Sequence, residues 1–356
     1  MTSIEFIHDF NHLHLFSNEW NQLAQSIPSP LLTFEWIQSA SEAFYSHNKP
    51  FIGVLSDGTS ITGIAPLILK GKGVNKSLRL IGVEYLGEPS GLLYQNADSL
   101  KQLFCAIKHL KIPFFLERIP VVQTQYSILK RGLISFSGIR FYKSSTSTRY
   151  LPIDTNWENY WFSLPSKRRN DLRRARKKAE AMGSIQVSIQ SPSSSSIKTV
   201  LSEAYQVEDK SWKGRNRTSI LANKRLKSFF STFCNRALHH NWLRIGFLRV
   251  DDHTIATIIG LVFCNRFWLL KVGYDQQWAK CSPGMLLITE CIHYAFEQHL
   301  EGFEFLGSDE SWLRAWIRDD HKHDFGLYAF YPSNISGFFN LFADTCRRLK
   351  KLTIRS

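Results

Sequence analysis

The chain has 356 residues, 44% hydrophobic, 13% aromatic and 21% charged, the balance of a folded globular protein of about two domains. That composition excludes a disordered tail, a collagen-like repeat and a coiled-coil rod, and no run of about 18 apolar residues is present to span a membrane. The net charge of +14 is concentrated: residues 166–227 hold sixteen Lys or Arg against five Asp or Glu, residues 347–355 hold five basic residues and no acid, and the remainder is close to neutral. An anionic partner is therefore expected at those two places.

In the first half, Trp20 to Phe44 has helical spacing interrupted by Pro28 and Pro30. FIGVLS, the Asp57-Gly58 turn and ITGIAPLIL predict a hairpin. A helix over residues 98–110 precedes an apolar strand from Pro113 to Leu116. Ser144 to Thr148 reads as a polar connector before the strand RYLPID.

In the second half, Ser166 is the expected N-cap of a helix that stops at Gly183, with Leu172, Ala175, Ala179 and Met182 as its buried stripe. Arg168, Arg169, Arg173, Arg176 and Lys177 crowd its other faces. The strand SIQVSIQ and helices over 197–212 and 223–240 follow. Next come the hairpin WLRIGFLRV-DDH-IATIIGLVF, the strand RFWLLKVGY, a long helix opened by Ser282-Pro283-Gly284 and ending near 299, the short strand GFEFLG and a strand over 325–331. The hairpin of the first half resembles that of the second at a separation of about 190 residues, which predicts two copies of one domain.

Several segments bear a family resemblance: SLPSKRRNDLRRARKKAEAMG at 163–183, EDKSWKG at 208–214, YDQQWAKCSPGMLL at 274–287 and FLGSDESWLRAW at 305–316. Together they resemble the CelD/BcsL-like acetyltransferases of the GNAT superfamily of acyl-CoA N-acyltransferases. The first half matches loosely, through Trp20, Leu23, Phe34 and APLIL. The basic helix also resembles the FemABX peptidyltransferases, with Lys167, Arg169, Leu172, Ala175 and Gly183 at corresponding places. In that family the arginine helps hold a diphosphate, a role the resemblance extends to Arg169.

The resemblance implies an α/β (α+β) chain of tandem GNAT-like domains, each a mixed, largely antiparallel sheet flanked by helices. The expected divisions are a degenerate domain over 1–150, an acyltransferase domain over 151–332 and a basic amphipathic helix over 333–356. Acyl transfer to an amine needs a cradle for the coenzyme A pyrophosphate, a base, and a donor to the developing oxyanion. The turn Lys280-Cys281-Ser282-Pro283-Gly284-Met285 matches the GNAT phosphate turn, with Gly284 expected to admit the pyrophosphate, although Pro283 and Met285 replace small residues and Pro283 removes an amide donor. Asp309, Glu310 and Glu208 are the candidate bases. Lys167, Arg168, Arg169, Arg173, Trp212 and Lys213 are the candidate acceptor-binding residues. Trp312-Leu313 stands where the family often has Tyr-Lys.

The expected function is transfer of acetyl or another acyl group from acyl-CoA to an amine on an anionic acceptor, such as an envelope or polysaccharide precursor. The absence of a placed nucleophile suits direct transfer. Two alternatives stand beside it: an aminoacyl-tRNA-dependent peptidyltransferase, with tRNA on the basic segment, and a degenerate GNAT fold that only binds.

No metal site is expected, because Asp319 to Asp324 and the trio His8, His12 and His14 read as ordinary loop and surface residues. Cys105, Cys234, Cys264, Cys281, Cys291 and Cys346 include no C-x-x-C pair and are expected to be reduced thiols. A cytoplasmic location follows from that cysteine usage and from an N-terminus without a signal pattern. The stretch from Ser336 to Ile354, with its aromatics followed by Arg347, Arg348, Lys350 and Lys351, suits either a helix packed on the second domain or one lying on an anionic membrane face.

Overall fold

The computed structural model describes residues 3–48, 50–121, 128, 138–317 and 321–353, with the main chain alone at 139–146, 315 and 348–353. The chain divides into two compact units, Met1–Ser147 with His323–Ser356, and Thr148–Lys322.

The first unit opens with β1 (Ser3–Ile7) and the helices α1 (Phe10–Leu13), α2 (Ser17–Ser26) and α3 (Phe34–Phe44). The helical run breaks at its prolines as expected. Pro30 opens a short 3-10 turn, and Thr33 restarts the helix by accepting the Trp36 amide. The hairpin β2 (Pro50–Ser56) and β3 (Ile61–Lys70) leads to β4 (Ser77–Leu80), α4 (Val83–Leu86) and β5 (Leu93–Tyr94). Asn96 caps α5 (Ala97–His109), which crosses to β6 (Phe114–Pro120).

Strand β7 (Gly138–Pro152) enters the second unit through Thr148–Pro152, so the polar stretch Ser144–Thr148, expected as a connector, lies within a strand. Then come α6 (Trp157–Ser163), α7 (Ser166–Glu180), β8 (Ile185–Gln190), α8 (Ile197–Asp209), α9 (Trp212–Arg215) and α10 (Lys224–His239). The unit continues with β9 (Leu243–Val250), β10 (His253–Phe263), β11 (Arg266–Tyr274), α11 (Pro283–Glu297) and β12 (Gly302–Glu304). Strand β13 (Lys322–Pro332) and helix α12 (Ile335–Thr353) return to the first unit. There β13 pairs antiparallel with β6, and Ser336 Oγ donates to the Val74 carbonyl.

The two sheets repeat one pattern. In the first unit β1, β2, β3 and β4 pair antiparallel in turn, β4 runs parallel to β6, and β13 closes antiparallel. In the second, β8, β9, β10 and β11 pair antiparallel, β11 runs parallel to β12, and β7 closes antiparallel. A parallel neighbour needs a crossover, and α5 and α11 supply it at equivalent places. The faint resemblance between hairpins is the trace of this duplication.

Helix α7 buries Leu172, Ala175 and Ala179 as expected. Met182, expected in that stripe, is instead 55% exposed, because the helix ends at Glu180 and the spacing lapses. Ser166 is the first helical residue rather than the cap; the Pro165 carbonyl accepts the Arg168 and Arg169 amides. All six cysteines are free thiols, with Cys234, Cys281 and Cys291 buried.

The second core centres on Phe303, fully buried and stacked on Phe267 at 4.9 Å. Truncating such a side chain leaves a cavity in addition to the lost transfer energy. Phe303→Ala is expected to destabilise the protein by about 3–5 kcal/mol, read as a lower denaturation midpoint.

Candidate active site

Strands β11 and β12 pair only over Arg266–Trp268 and Gly302–Glu304. Beyond that point β11 continues for six residues, Leu269–Tyr274, without a partner on that side among the described residues. The chain after β12 stays with β7 instead: the Phe305 amide donates to the Arg149 carbonyl at 3.1 Å. Leu306 (φ 54°) and Gly307 (φ 64°) then turn it sharply. A buried leucine in the left-handed region is an uncommon, strained conformation. Among the described residues the first unit shows no such opening, because β4 ends one residue after its last β6 partner.

Lys213 stands at the open edge. Its Nζ donates to the Val272 carbonyl at 2.8 Å and lies 3.5 Å from Glu208 Oε1. Ser211 positions it by capping α9. Desolvation lowers the Lys213 pKa; Glu208 and Glu310 oppose that shift and Lys271 adds to it. Glu208 is buried, and its other oxygen accepts the Ile220 amide at 2.9 Å. It reaches this position because a Cβ on Gly273 would lie 2.5 Å from Glu208 Cα, so only glycine lets α8 pack this closely on β11. Glycine inside a strand pattern marks such an approach, and RFWLLKVGY carried that signal. Neighbouring Trp212 is half exposed.

The opposite side carries the other carboxylates. Arg149, 3% exposed, grips Asp309 with two bonds, Nε to Oδ1 at 2.7 Å and Nη2 to Oδ2 at 2.8 Å. The hydrogen bond from Arg149 holds the Asp309 carboxyl below its ordinary pKa. Nothing in the sequence marked Arg149, which meets Asp309 across 160 positions. Glu310 accepts the Trp312 indole N–H and lies in the electrostatic range of Lys213. Leu313 is buried in the core, so the place where the family often carries lysine is apolar here.

Helix α11 starts beside the end of β11. Ser282 is left-handed (φ 47°), Pro283 has no amide hydrogen, and the amides of Met285 and Leu286 bond the Ser282 carbonyl. Three of the first four helical residues therefore offer no N–H to an anion. The room expected beside Gly284 is taken by Tyr274, whose ring lies 3.3 Å from where a Cβ would sit. Cys281 is buried against Met182, with sulfurs 3.7 Å apart, and Lys280 is exposed.

Arg168 points to this end, 3.8 Å from Met285 Sδ and over the Trp316 ring at 4.6 Å. Its Nε is buried without a hydrogen-bond partner. Arg169 lies over Phe162 at 5.2 Å. Lys167, Asn170, Arg173, Arg174, Arg176 and Lys177 line an open groove on α7. Arg174 pairs with Asp171, and Arg176 with Glu180 and Glu290. Among the described residues, Lys167, Arg173 and Lys177 have no acidic partner and face solvent. No group of three or more His, Cys, Asp or Glu side chains placed to hold a metal ion occurs among the described residues; Asp319 and Asp320 of the acidic loop lie outside them.

Residues 166–318 match the family described as an acetyltransferase (GNAT) domain. FemX superposes with a TM-score of 0.61 at 12% identity, covering 91% of this chain and 96% of that one. The C-terminal domain (DUF2156) of a protein named as a lysylphosphatidylglycerol synthetase from Agrobacterium fabrum gives 0.56 at 10%, covering 93% and 96%. A tandem GNAT protein from the clavulanic acid biosynthesis pathway gives 0.51 at 10%, covering 93% and 100%. No curated protein matches the sequence significantly. The fold is a tandem GNAT fold, two mixed, mostly antiparallel sheets flanked by helices.

The Arg149–Asp309 pair has a measurable consequence. Asp309→Asn leaves a buried guanidinium short of its charged acceptor and is expected to cost roughly 2 kcal/mol at neutral pH. Because the folded-state pKa is lowered, this stability is fully present above the unfolded value and is lost as pH falls through the folded one. The gap between wild type and variant in urea denaturation should therefore close below about pH 4. A gap independent of pH would mean that the carboxylate's charge does not matter.

Proposed function

We propose that the second unit is an N-acyltransferase that moves an acyl group from acyl-CoA directly to an amine on an anionic acceptor. The observation that carries this reading is the open edge of β11, with Lys213 on one side and the start of α11 at its end. An unpaired strand edge offers N–H and C=O groups to an extended, amide-bearing chain such as pantetheine. Arg168, 3.8 Å from Met285 Sδ, favours a phosphate beside that residue.

In the transfer, the acceptor nitrogen bonds to the acyl carbon, the carbon–sulfur bond breaks, and a proton leaves the nitrogen. Lys213 is the proposed base. In its neutral form it can direct two hydrogens to Val272 and Glu208 and keep a lone pair for the proton. Glu208 orients it. Asp309, held ionised by Arg149, shapes the far wall. The unpaired cations of α7 suit a phosphate-bearing acceptor, and the CelD/BcsL-like motifs favour an envelope or polysaccharide precursor.

One observation favours a second reading, the aminoacyl-tRNA-dependent peptidyltransferase. The first turn of α11 is poor in free amides, which weakens it as a pyrophosphate cradle. The FemABX-like pattern of α7 points the same way.

If Lys213 is the base, kcat/KM should rise with pH along a limb whose apparent pKa lies below the ordinary lysine value of about 10.4. Lys213→Gln should remove that limb and lower kcat by about 10²–10⁴-fold with the fold intact. A limb unchanged in Lys213→Gln would move the role to Glu310, tested by Glu310→Gln.

The two arginine positions separate donor from acceptor. Arg168→Ala should raise the KM for acyl-CoA about tenfold or more, and Arg173→Ala the KM for the acceptor, each leaving the other constant unchanged. For tRNA, affinity should instead fall steeply with salt, by several log units per log unit of concentration, with similar small losses at every unpaired cation.

A further inference from the structure

Helix α12 is amphipathic in the reverse sense. Ser336, Asn340 and Asp344, one turn apart, face the first unit. Ser336 Oγ donates to the Val74 carbonyl at 2.9 Å, and Asn340 Nδ2 donates to the carbonyls of Val74 and Lys76 at 3.2 and 3.3 Å. Asp344 accepts the Tyr331 hydroxyl at 2.9 Å. Leu341 packs against the core, but four large apolar side chains point outward: Ile335 is 76% exposed, Phe338 61%, Phe339 43% and Phe342 71%. A soluble helix normally presents the opposite arrangement, because each exposed phenylalanine forgoes the free energy of burial. The turn Gly73–Asn75, fixed to α12 by these hydrogen bonds, adds a further exposed apolar side chain, Val74.

The surroundings are basic. Lys72, exposed, and Lys76, half-buried, flank Val74, and the carbonyl of exposed Lys111 accepts Asn334 Nδ2 at the start of the helix. Arg347 is exposed further along, and the sequence continues with Arg348, Lys350 and Lys351. The single acid between residues 333 and 356 is Asp344, which accepts the Tyr331 hydroxyl and lies 4.0 Å from Arg347.

We propose that this face is a membrane-docking surface: Ile335, Phe338, Phe339, Phe342 and Val74 insert into the headgroup boundary of an anionic phospholipid bilayer, and the lysines and arginines around them meet its phosphates. Charge complementarity selects this occupant. A second copy of the chain would bring one basic rim against another, whereas an anionic lipid surface offers apolar depth and negative charge together. The depth suits side chains rather than a span, since no helix among the described residues is long and apolar enough to cross a membrane. The inference is independent of the transfer chemistry in the second unit.

The test is sedimentation of the full chain with lipid vesicles. The protein should pellet with phosphatidylcholine vesicles containing about 30 mol% phosphatidylglycerol, not with phosphatidylcholine alone, and salt near 0.5 M should release it. The double variant Phe338→Ser, Phe342→Ser should lose about tenfold or more in partition coefficient with an unchanged melting temperature, because both side chains are exposed. Lys72→Gln with Lys76→Gln should lose roughly fivefold per lysine. Three results would each overturn the proposal: no pelleting with the anionic vesicles, binding that the phenylalanine variant leaves intact, or self-association in sedimentation velocity that this variant abolishes while vesicles go unbound.

Discussion

The candidate site depends on one buried cation. Arg149 holds the chain beyond β12 twice, with its carbonyl on the Phe305 amide and its guanidinium on the Asp309 carboxylate. A guanidinium this deeply buried is costly unless it is paired and hydrogen-bonded, so its demand for acceptors ties the segment after β12 to β7 and away from β11. The left-handed turn at Leu306 and Gly307 is the conformational cost of that diversion. That diversion leaves Leu269–Tyr274 of β11, paired with β10 on one side, without a partner on the other among the described residues.

The near wall is set by a different constraint, close packing at a glycine. With no side chain at Gly273, α8 can lie against β11, and Glu208 is brought within reach of Lys213 on α9. The same contact strips water from Lys213 and supplies the carboxylate that partly restores its charge. Packing and electrostatics are therefore one arrangement here. The geometry that holds Lys213 on the Val272 carbonyl also lowers its proton affinity.

Much of this was legible in the sequence. The hairpins, the long helix opened by Pro283 and the buried stripe of α7 follow from periodicity and from breaker residues, which act locally. The segments carrying Glu208, Lys213, Asp309 and Glu310 were recognisable as motifs. What the residues do within them was not, because it depends on partners far away in the chain. Asp309 reads as a free acid until Arg149 is placed beside it. Gly284 reads as a phosphate-binding glycine, and the structure adds that Tyr274 packs 3.3 Å from where its Cβ would sit. Met182 follows the helical spacing of α7 yet lies past the point where the helix stops, and stop positions are set by the local turn rather than by the period.

The duplicated topology shows how one plan yields two outcomes. In both units a helix crosses between two parallel strands, and in both the hairpin before it builds the sheet. The difference lies in the first strand of the parallel pair. In β4 it is four residues long and matched over two, running one residue past its last partner, while in β11 it is nine residues long and matched over three, running six past. The short strand leaves little backbone beyond the pairing to offer a ligand, so among the described residues the first unit keeps the fold without a comparable opening. Its exposed chemistry lies instead on the helix that follows its last strand, where apolar side chains face outward at the cost of burial. A chain that duplicates a domain can thus divide its labour through strand length and helix orientation alone, with the same sheet order kept in both halves.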